Sequence, residues 1–186
     1  IKISAFFPDK TITIVTKSTA EETNTKYAQG GIAVVQNQTG DHFKKHIEDT
    51  LICGDGLCNQ EVVEMVVTQG PKRLQELIDW GAKFDMNSAG HLDLGREGGH
   101  SINRVVHHKD QTGFEAQANS RSNIQILDFH FALELISEKN QCFGAYVLNE
   151  TTNEILTIQS DITLLATGGI GQVYGHTTNP AVATGD

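Results

Sequence analysis

The sequence predicts an α/β fold with a small antiparallel β insertion. Near the N-terminus, Thr11–Thr16 alternates β-branched residues, which is typical of a strand. Helical periodicity follows in the next third of the chain, and period-two alternation begins at Ile124. The apolar run Asp161–Ala166 then leads directly into glycines. A buried strand that ends in glycines is typical of open α/β sheets, which bind ligands at the carboxyl ends of their strands.

Each element has its own signal. Thr11–Thr16 is expected to be a buried strand, because its apolar residues are flanked by polar ones. Asp41 is the predicted N-cap of a helix that runs to Cys53 and is ended by glycines. A second helix is expected to begin at Asn59, and Pro71 suits the first turn of a third that ends at Trp80.

The C-terminal third is predicted to be mainly β. Gln141–Asn149 and Glu154–Gln159 flank the turn sequence Glu150–Asn153, which indicates a β-hairpin. Asp161–Ala166 is apolar throughout, so we expect a strand that is buried on both faces.

Composition excludes several functional classes. The chain has 186 residues, 38% hydrophobic and 20% charged, which suits one soluble domain or a large part of one. Its net charge of −9 argues against a nucleic-acid partner, and no apolar run is long enough for a membrane span. Cys53, Cys58 and Cys142 form an odd, sparse set, typical of a reducing cytosol. No second Cys or His pair completes a zinc site, so we expect no metal.

Three glycine-containing segments carry the functional signal: Tyr27–Gly31, Arg96–His100 and Ala166–Gly169. Glycine pairs are common in turns, so each segment alone is weak evidence. Together they indicate a large, planar, phosphorylated cofactor, because glycine lets the backbone approach a ligand closely. Lys17 and Thr25 are available to its polar oxygens.

Longer motifs carry a resemblance to a known family. They are Thr16-Lys17, NTKYAQGGIA (24–33), HIEDTLICGDGLC (46–58), GREGGHSINRVVHHKDQTG (95–113) and LLATGGIGQVYGHTTNPAVATGD (164–186). In this order they resemble the succinate dehydrogenase and fumarate reductase flavoprotein family, and within it the L-aspartate oxidase branch.

The resemblance implies an incomplete Rossmann-like FAD-binding domain. Residues 1–186 would form the central part of that domain, with Ile1–Phe7 as the tail of the helix that follows a GxGxxG motif. We expect the N-terminal GxGxxG unit, the capping domain and the C-terminal helical domain to lie outside the sequence. The stretch between Gly113 and Asn123 is shorter than in the family, which puts the pairing there in doubt.

The resemblance also implies the cofactor contacts. Asn24 stands where the succinate dehydrogenase branch has the histidine that carries the flavin covalently, so FAD is expected to bind noncovalently. Asp186 would contact the polar side of the flavin, and the Ala132–Leu133 backbone the adenine. The remaining expected FAD contacts are Lys17, Asn24, Thr25, Lys26, Tyr27, Ala28, Gln29, Gly30 and Gly31.

The resemblance implies that Glu97 is the catalytic residue that orients the substrate, and a carboxylate there can pair with the α-ammonium that succinate lacks. A solvated loop acid is the alternative. His100, Ser101 and Arg104 would shape the site, although a structural role for His100 is equally open. His107 and His108 are interpreted as structural or solvated.

The implied activity of the intact protein is that of an FAD-dependent amino-acid oxidase. It would oxidise L-aspartate to iminoaspartate with O2 or fumarate as acceptor, in the cytoplasm, for quinolinate and NAD biosynthesis, with a possible hand-off to quinolinate synthase. The 186 residues alone are expected to be inactive. A soluble fumarate reductase or succinate dehydrogenase flavoprotein, a non-catalytic folded fragment and a histidine-rich metal module remain alternatives.

Overall fold

The fold is described from a computed structural model that covers residues 2–24, 30–36, 40–108 and 123–185. The chain divides into two compact units. The first contains residues 1–24 and 117–186, and the second contains residues 25–116. Within the described ranges, no helix is long and apolar enough to cross a membrane.

The first unit begins with a short helix and a parallel strand pair. Helix α1 (Lys2–Phe6) is followed by β1 (Ile12–Val15), which pairs in parallel with β5 (Ile124–Leu127). The strand predicted at Thr11–Thr16 is therefore confirmed, but its burial is not, since Ile14 is 41% exposed. Two paired strands cover each other's edges only, so the β-branched pattern correctly indicated a strand and overstated how deeply it is buried.

The antiparallel insertion of this unit is confirmed. Strands β6 (His130–Glu138), β7 (Gln141–Asn149) and β8 (Glu154–Gln159) lie in that order, with β7 in the centre. The hairpin turn between β7 and β8 forms where the sequence predicts it, because the Asn149 side chain accepts the N–H groups of the two threonines that follow Glu150.

The strand predicted at Asp161–Ala166 is wrong. This segment has no regular structure, and Ile162, Leu164 and Leu165 are 86%, 73% and 63% exposed. A continuous apolar run forms a strand only when neighbours cover it, and no strand of the described chain pairs with this one. A short 3₁₀ helix follows at Gly171–Val173.

The second unit contains a small sheet that the sequence did not predict. Strands β2 (Ile32–Ala33), β3 (Leu94–Gly95) and β4 (Val105–Val106) form an antiparallel sheet with β4 in the centre. Strands of two residues give no periodic signal, which explains the omission. The sheet and the helices enclose a core, whose buried members are Val34, Leu74, Phe84 and Val106.

Helix α2 (Phe43–Cys53) is present, but Asp41 is not its N-cap. The cap is His42, whose Nδ1 accepts the backbone N–H of Lys45 at 3.2 Å. The predicted position differs by one residue because the Asp41 carboxylate binds Arg104 instead.

The prediction of separate second and third helices is also wrong. One helix, α3, runs for 20 residues from Gln60 to Asp79 and contains Pro71 in its interior. Asn59 is its N-cap, as predicted, and Trp80 ends it. Val67 and Leu74 are buried on either side of the proline. Because they are seven residues apart, they lie on one face, and their burial opposes the break that proline favours.

Candidate functional site

The loop from Gly95 to Arg104 joins β3 to β4 and carries the residues that the sequence singled out. Its ends are tied together, because the Arg104 N–H donates to the Gly95 carbonyl at 3.1 Å. Inside the loop, the His100 N–H donates to the Glu97 carbonyl at 3.2 Å, and Gly99 between them has a φ of +86°. The loop therefore folds into a tight turn, and the Glu97 side chain at its start is exposed.

A buried arginine holds the base of this loop. The Arg104 side chain is 0% exposed, and so is that of Asp41. The two form a bidentate pair, with Nε to Oδ2 at 2.8 Å and Nη2 to Oδ1 at 2.9 Å. The third guanidinium nitrogen, Nη1, donates to Asp49 Oδ2 on α2 at 2.5 Å. Such charge-assisted, bidentate hydrogen bonds are the strongest that side chains make.

Asp49 also binds the loop directly. Its Oδ2 accepts the Ser101 backbone N–H at 2.9 Å and the Ser101 hydroxyl at 2.7 Å. Partial burial acts to raise the pKa of Asp49, but the hydrogen bonds from Ser101 and Arg104 outweigh it, so the pKa lies well below its usual range. The carboxylate is therefore charged at neutral pH.

The same balance applies to the other members of the cluster. Burial alone would raise the pKa of Asp41, yet the Arg104 guanidinium holds it below its usual value. Burial alone would lower the pKa of Arg104, and the two carboxylates raise it instead. Asp41, Asp49 and Arg104 are consequently all ionised. Each charge is compensated by a hydrogen-bonded partner of opposite sign, which burial of a charge requires.

Two histidines adjoin the cluster. Arg104 Nη1 lies 3.2 Å from His100 Nδ1, and because a guanidinium only donates, that nitrogen accepts. The His46 ring meets His100 edge to face at 5.7 Å between centroids. Burial and the neighbouring positive charge of Arg104 lower the pKa of His46, which favours its neutral form.

Glu97 lies beside Gly30, one of the two described residues of the first glycine loop. Its Oε1 is 3.9 Å from the position that a Cβ on Gly30 would take. The neighbouring Gly31 is required by packing, since a Cβ there would lie 2.3 Å from the Val106 carbonyl oxygen and 2.4 Å from a Val105 methyl group. Gly31 thus lets the backbone at this position lie against β4, and its predicted contact with FAD stays a prediction.

Two other predicted residues, Lys17 and Asn24, lie in the first unit. The Lys17 ammonium donates to the Thr184 hydroxyl and lies 5.9 Å from the centre of the Phe131 ring. A Cβ on Gly168 would lie 3.8 Å from the Asn24 amide nitrogen, so the third glycine loop adjoins the segment that precedes the first. Ammonium, hydroxyl and amide groups all bind phosphate and flavin oxygens, so the chemistry of each of these side chains suits FAD, and the predicted contacts of Lys17 and Asn24 stay predictions.

The remaining residues that were expected to contact FAD have no described neighbour that bears on this role. Thr25–Gln29 and Asp186 lie outside the described residues. The backbone at Ala132–Leu133 lies on β6, where both side chains are exposed. The assigned roles of all these residues stay predictions.

His107 and His108 lie beside acidic residues rather than in the Arg104 cluster. His107 Nε2 is 3.9 Å from Asp85 and 3.8 Å from Asp93, and His108 Nδ1 is 3.4 Å from Asp85. In the part of the chain that the structure describes, no group of three or more His, Cys, Asp or Glu side chains is arranged to hold a metal ion.

Comparison with known proteins places these features in a family. The model of a family described as "FAD binding domain" matches residues 3–186. The chain belongs to this family. FAD is the family's cofactor, in agreement with the cofactor and the fold class predicted from the sequence.

The resemblance to L-aspartate oxidases is confirmed by named relatives. The chain is 44% identical to the chloroplastic L-aspartate oxidase of Arabidopsis thaliana over 95% of its length, and 38% identical to the L-aspartate oxidase of Vibrio cholerae over 94%. It covers 28% of the first relative and 36% of the second. The chain thus spans about a third of the length of these relatives.

Solved structures agree on the family. Quinol fumarate reductase FrdA from E. coli superposes with a TM-score of 0.90 at 30% identity, covering 97% of this chain and 32% of that one. A quinol-fumarate reductase with menaquinol molecules superposes with a TM-score of 0.92 at 30% identity, covering 100% of this chain and 33% of the other. The predicted fold type is therefore confirmed.

Sequence reasoning missed Asp41 and Asp49 as members of the site. A signal for Asp49 was present, because it lies within the HIEDTLICGDGLC motif, three residues after His46 and thus on the same side of α2. Asp41 was assigned to a helix cap instead. Neither position reveals its partner in sequence, since Arg104 lies more than 50 residues away.

Proposed function

We propose that the full-length protein is an FAD-dependent L-aspartate oxidase. The observation that carries the proposal is the position of Glu97, an exposed carboxylate in a closed turn beside Gly30 of the first glycine loop. An acid that adjoins a flavin-binding loop suits a substrate with a positive charge at its reacting end. L-Aspartate has such a charge on its α-ammonium, whereas succinate has none.

The chain's own residues would bind and orient, while the cofactor supplies the redox chemistry. FAD would supply the two-electron acceptor for oxidation of L-aspartate to iminoaspartate, in which the substrate loses a hydride from Cα and a proton from its amino group. Glu97 would hold the α-ammonium by a charge-assisted hydrogen bond, which fixes the direction of Cα. Lys17 and Asn24 would contribute polar contacts to FAD, and with Asn24 at the attachment position the cofactor would bind noncovalently.

Partners and compartment follow from the same proposal. The two electrons would pass to O2, which gives hydrogen peroxide, or to fumarate, which gives succinate. Iminoaspartate would be consumed in quinolinate synthesis, and quinolinate synthase would receive it. The described thiols are free, in keeping with a reducing compartment such as the cytoplasm.

A second candidate is a fumarate reductase or succinate dehydrogenase flavoprotein. The 30% identity to quinol fumarate reductases favours it. The two proposals differ at Glu97, because a dicarboxylate without an amino group gains nothing from a third negative charge in the site.

The test measures turnover of L-aspartate and of succinate by the full-length protein with FAD. We expect aspartate-dependent release of hydrogen peroxide and no turnover of succinate. Glu97→Gln should lower kcat/KM for L-aspartate about 10- to 160-fold, the equivalent of about 1.5–3 kcal/mol for a hydrogen bond to a charged group. Glu61→Gln, which removes an exposed acid from the first turn of α3, is the matched control. Turnover of succinate but not of aspartate would refute the proposal.

A further inference from the structure

We propose that Asp49 is a positioning residue that fixes the Glu97 loop against helix α2. This inference rests on the proposed function, since it concerns how Glu97 is presented to L-aspartate. Three donors converge on a single oxygen, Asp49 Oδ2: the Ser101 N–H, the Ser101 hydroxyl and the Arg104 guanidinium. All three donors belong to the loop: two are groups of Ser101, and the third is the side chain of Arg104, the last residue of the loop.

The anchor is rigid because it belongs to a helix. Asp49 lies in the second half of α2 (Phe43–Cys53), which packs against the longer helix α3. The loop contains the flexible pair Gly98 and Gly99 and has little apolar surface of its own to bury. Its position is therefore set by the hydrogen bonds from Ser101 and Arg104 to α2, together with the edge-to-face contact of His100 with His46.

The connection from Asp49 to Glu97 is short. Ser101, which binds Asp49, directly follows His100, and the His100 N–H donates to the Glu97 carbonyl at 3.2 Å. Cys53 adds a weaker link from α2, with its Sγ 3.6 Å from the Gly99 carbonyl oxygen. A displacement of Ser101 would thus open the turn that sets the direction of the Glu97 side chain.

Asp49 differs in this respect from Asp41. Both carboxylates bind Arg104, but among the described residues the Asp41 carboxylate accepts hydrogen bonds from the Arg104 guanidinium and the His42 N–H and from no other residue of the loop. Asp49 alone of the two reaches the backbone of the turn. Its charge strengthens all three hydrogen bonds, since bonds to an ionised acceptor are roughly twice as strong as neutral ones.

The test compares Asp49→Asn with Glu48→Gln in the full-length protein. The control removes one negative charge from the neighbouring, exposed position of the same helix. We expect Asp49→Asn to raise KM for L-aspartate about tenfold. Loss of a residue that orients a ligand-binding side chain has an effect of about this size in metal sites, where it is best characterised. KM for fumarate and the FAD content should stay within about twofold of the control, because fumarate has no ammonium for Glu97 to bind. Equal losses with both substrates would reduce Asp49 to a structural role and overturn the inference.

A double-mutant cycle tests whether Asp49 acts through Glu97. In a Glu97→Gln background, Asp49→Asn should add less than about twofold to KM for L-aspartate, because the residue being positioned has already lost its charge. Effects that multiply in full would show that the two residues act independently and would overturn the inference.

Hydrogen exchange provides a readout that does not depend on activity. Amides of the 95–101 loop should exchange about tenfold faster in Asp49→Asn than in Glu48→Gln, which corresponds to about 1.4 kcal/mol of local stability. Unchanged exchange would overturn the inference. Asp49→Ala should give a larger effect, and if it does not fold, Asp49→Asn still decides. A wild-type protein that turns over no L-aspartate would refute the proposed function, and the exchange result would then decide the anchoring role of Asp49 by itself.

Discussion

Replacement of Arg104 by methionine is expected to destabilise the protein strongly. Methionine is similar in length and apolar, so Arg104→Met retains much of the packing and removes the guanidinium. Asp41 would then remain with a side chain that is 0% exposed, and Asp49 with one that is 13% exposed, and both would lose their cation. Removing one partner of a buried ion pair costs about 3–5 kcal/mol, because the remaining charge is left uncompensated.

That cost is large relative to the stability of a protein domain, which is typically about 5–15 kcal/mol. In domains of about 150–250 residues, each kcal/mol lowers Tm by about 2–4 °C, so we expect a decrease of about 6–20 °C. The decrease should be smaller in acid, where Asp41 and Asp49 can take up protons and become neutral. Removing one of the two unpaired charges by Asp41→Asn in the Arg104→Met background should recover at least about 1 kcal/mol.

The assay is thermal unfolding of the full-length protein, followed by circular dichroism with FAD in excess. Arg73→Met is the matched control, because Arg73 makes a similar contact to Glu76, at 2.8 Å, on the surface of α3 with 46% of its side chain exposed. Surface pairs contribute about 0–1 kcal/mol. If Arg104→Met does not fold, Arg104→Lys, which keeps the charge but loses the bidentate geometry, provides the measurement. Equal Tm values for Arg104→Met and Arg73→Met would refute the reasoning.

Two further predictions concern the same unit. The lowered pKa of His46 means that the folded state favours its neutral form. The stability that this preference contributes is present above pH ~6.5, the unfolded-state pKa, and is lost as the pH falls through the folded-state pKa. His46→Gln should remove this part of the pH dependence of urea unfolding, and an unchanged profile would contradict the prediction. Gly31→Ala should lower Tm even in FAD-free protein, because the added Cβ would lie 2.3 Å from the Val106 carbonyl oxygen. Gly98→Ala is the control and should change Tm little, because a Cβ there would meet nothing within 4 Å. Equal changes in Tm would show that packing does not require Gly31.

The sequence predicted those elements whose signal is local. The α2 helix, the N-cap at Asn59 and the β7–β8 hairpin each depend on residues within a few positions of one another. The continuous α3 helix was missed because Pro71 is a strong local breaker, and the burial of Val67 and Leu74 that opposes it is a tertiary effect. Asp161–Ala166 failed for the converse reason, because its apolar pattern requires covering strands that the described chain does not provide.

The site shows the same difference between local contacts, which the sequence predicts, and long-range contacts, which it does not. Glu97, His100, Ser101 and Arg104 occupy one motif, so their proximity could be expected from spacing, and the structure does bring Ser101, His100 and Arg104 into one network. The partners on α2 could not be found in this way, because nothing in the residues around Arg104 specifies which distant carboxylate binds it.

The polar character of this network follows from what the loop has to do. Ordering one residue costs about 1–2 kcal/mol of backbone entropy, and the glycines at 98 and 99 lose more than other residues would. An apolar anchor would require the loop to bury side chains, which would draw Glu97 away from solvent and from an incoming substrate. Hydrogen bonds from Ser101 and Arg104 to carboxylates on the helix side fix the backbone and leave Glu97 exposed. A buried ion cluster beneath a glycine-rich turn therefore allows one loop to be rigid in its backbone and accessible at its acid.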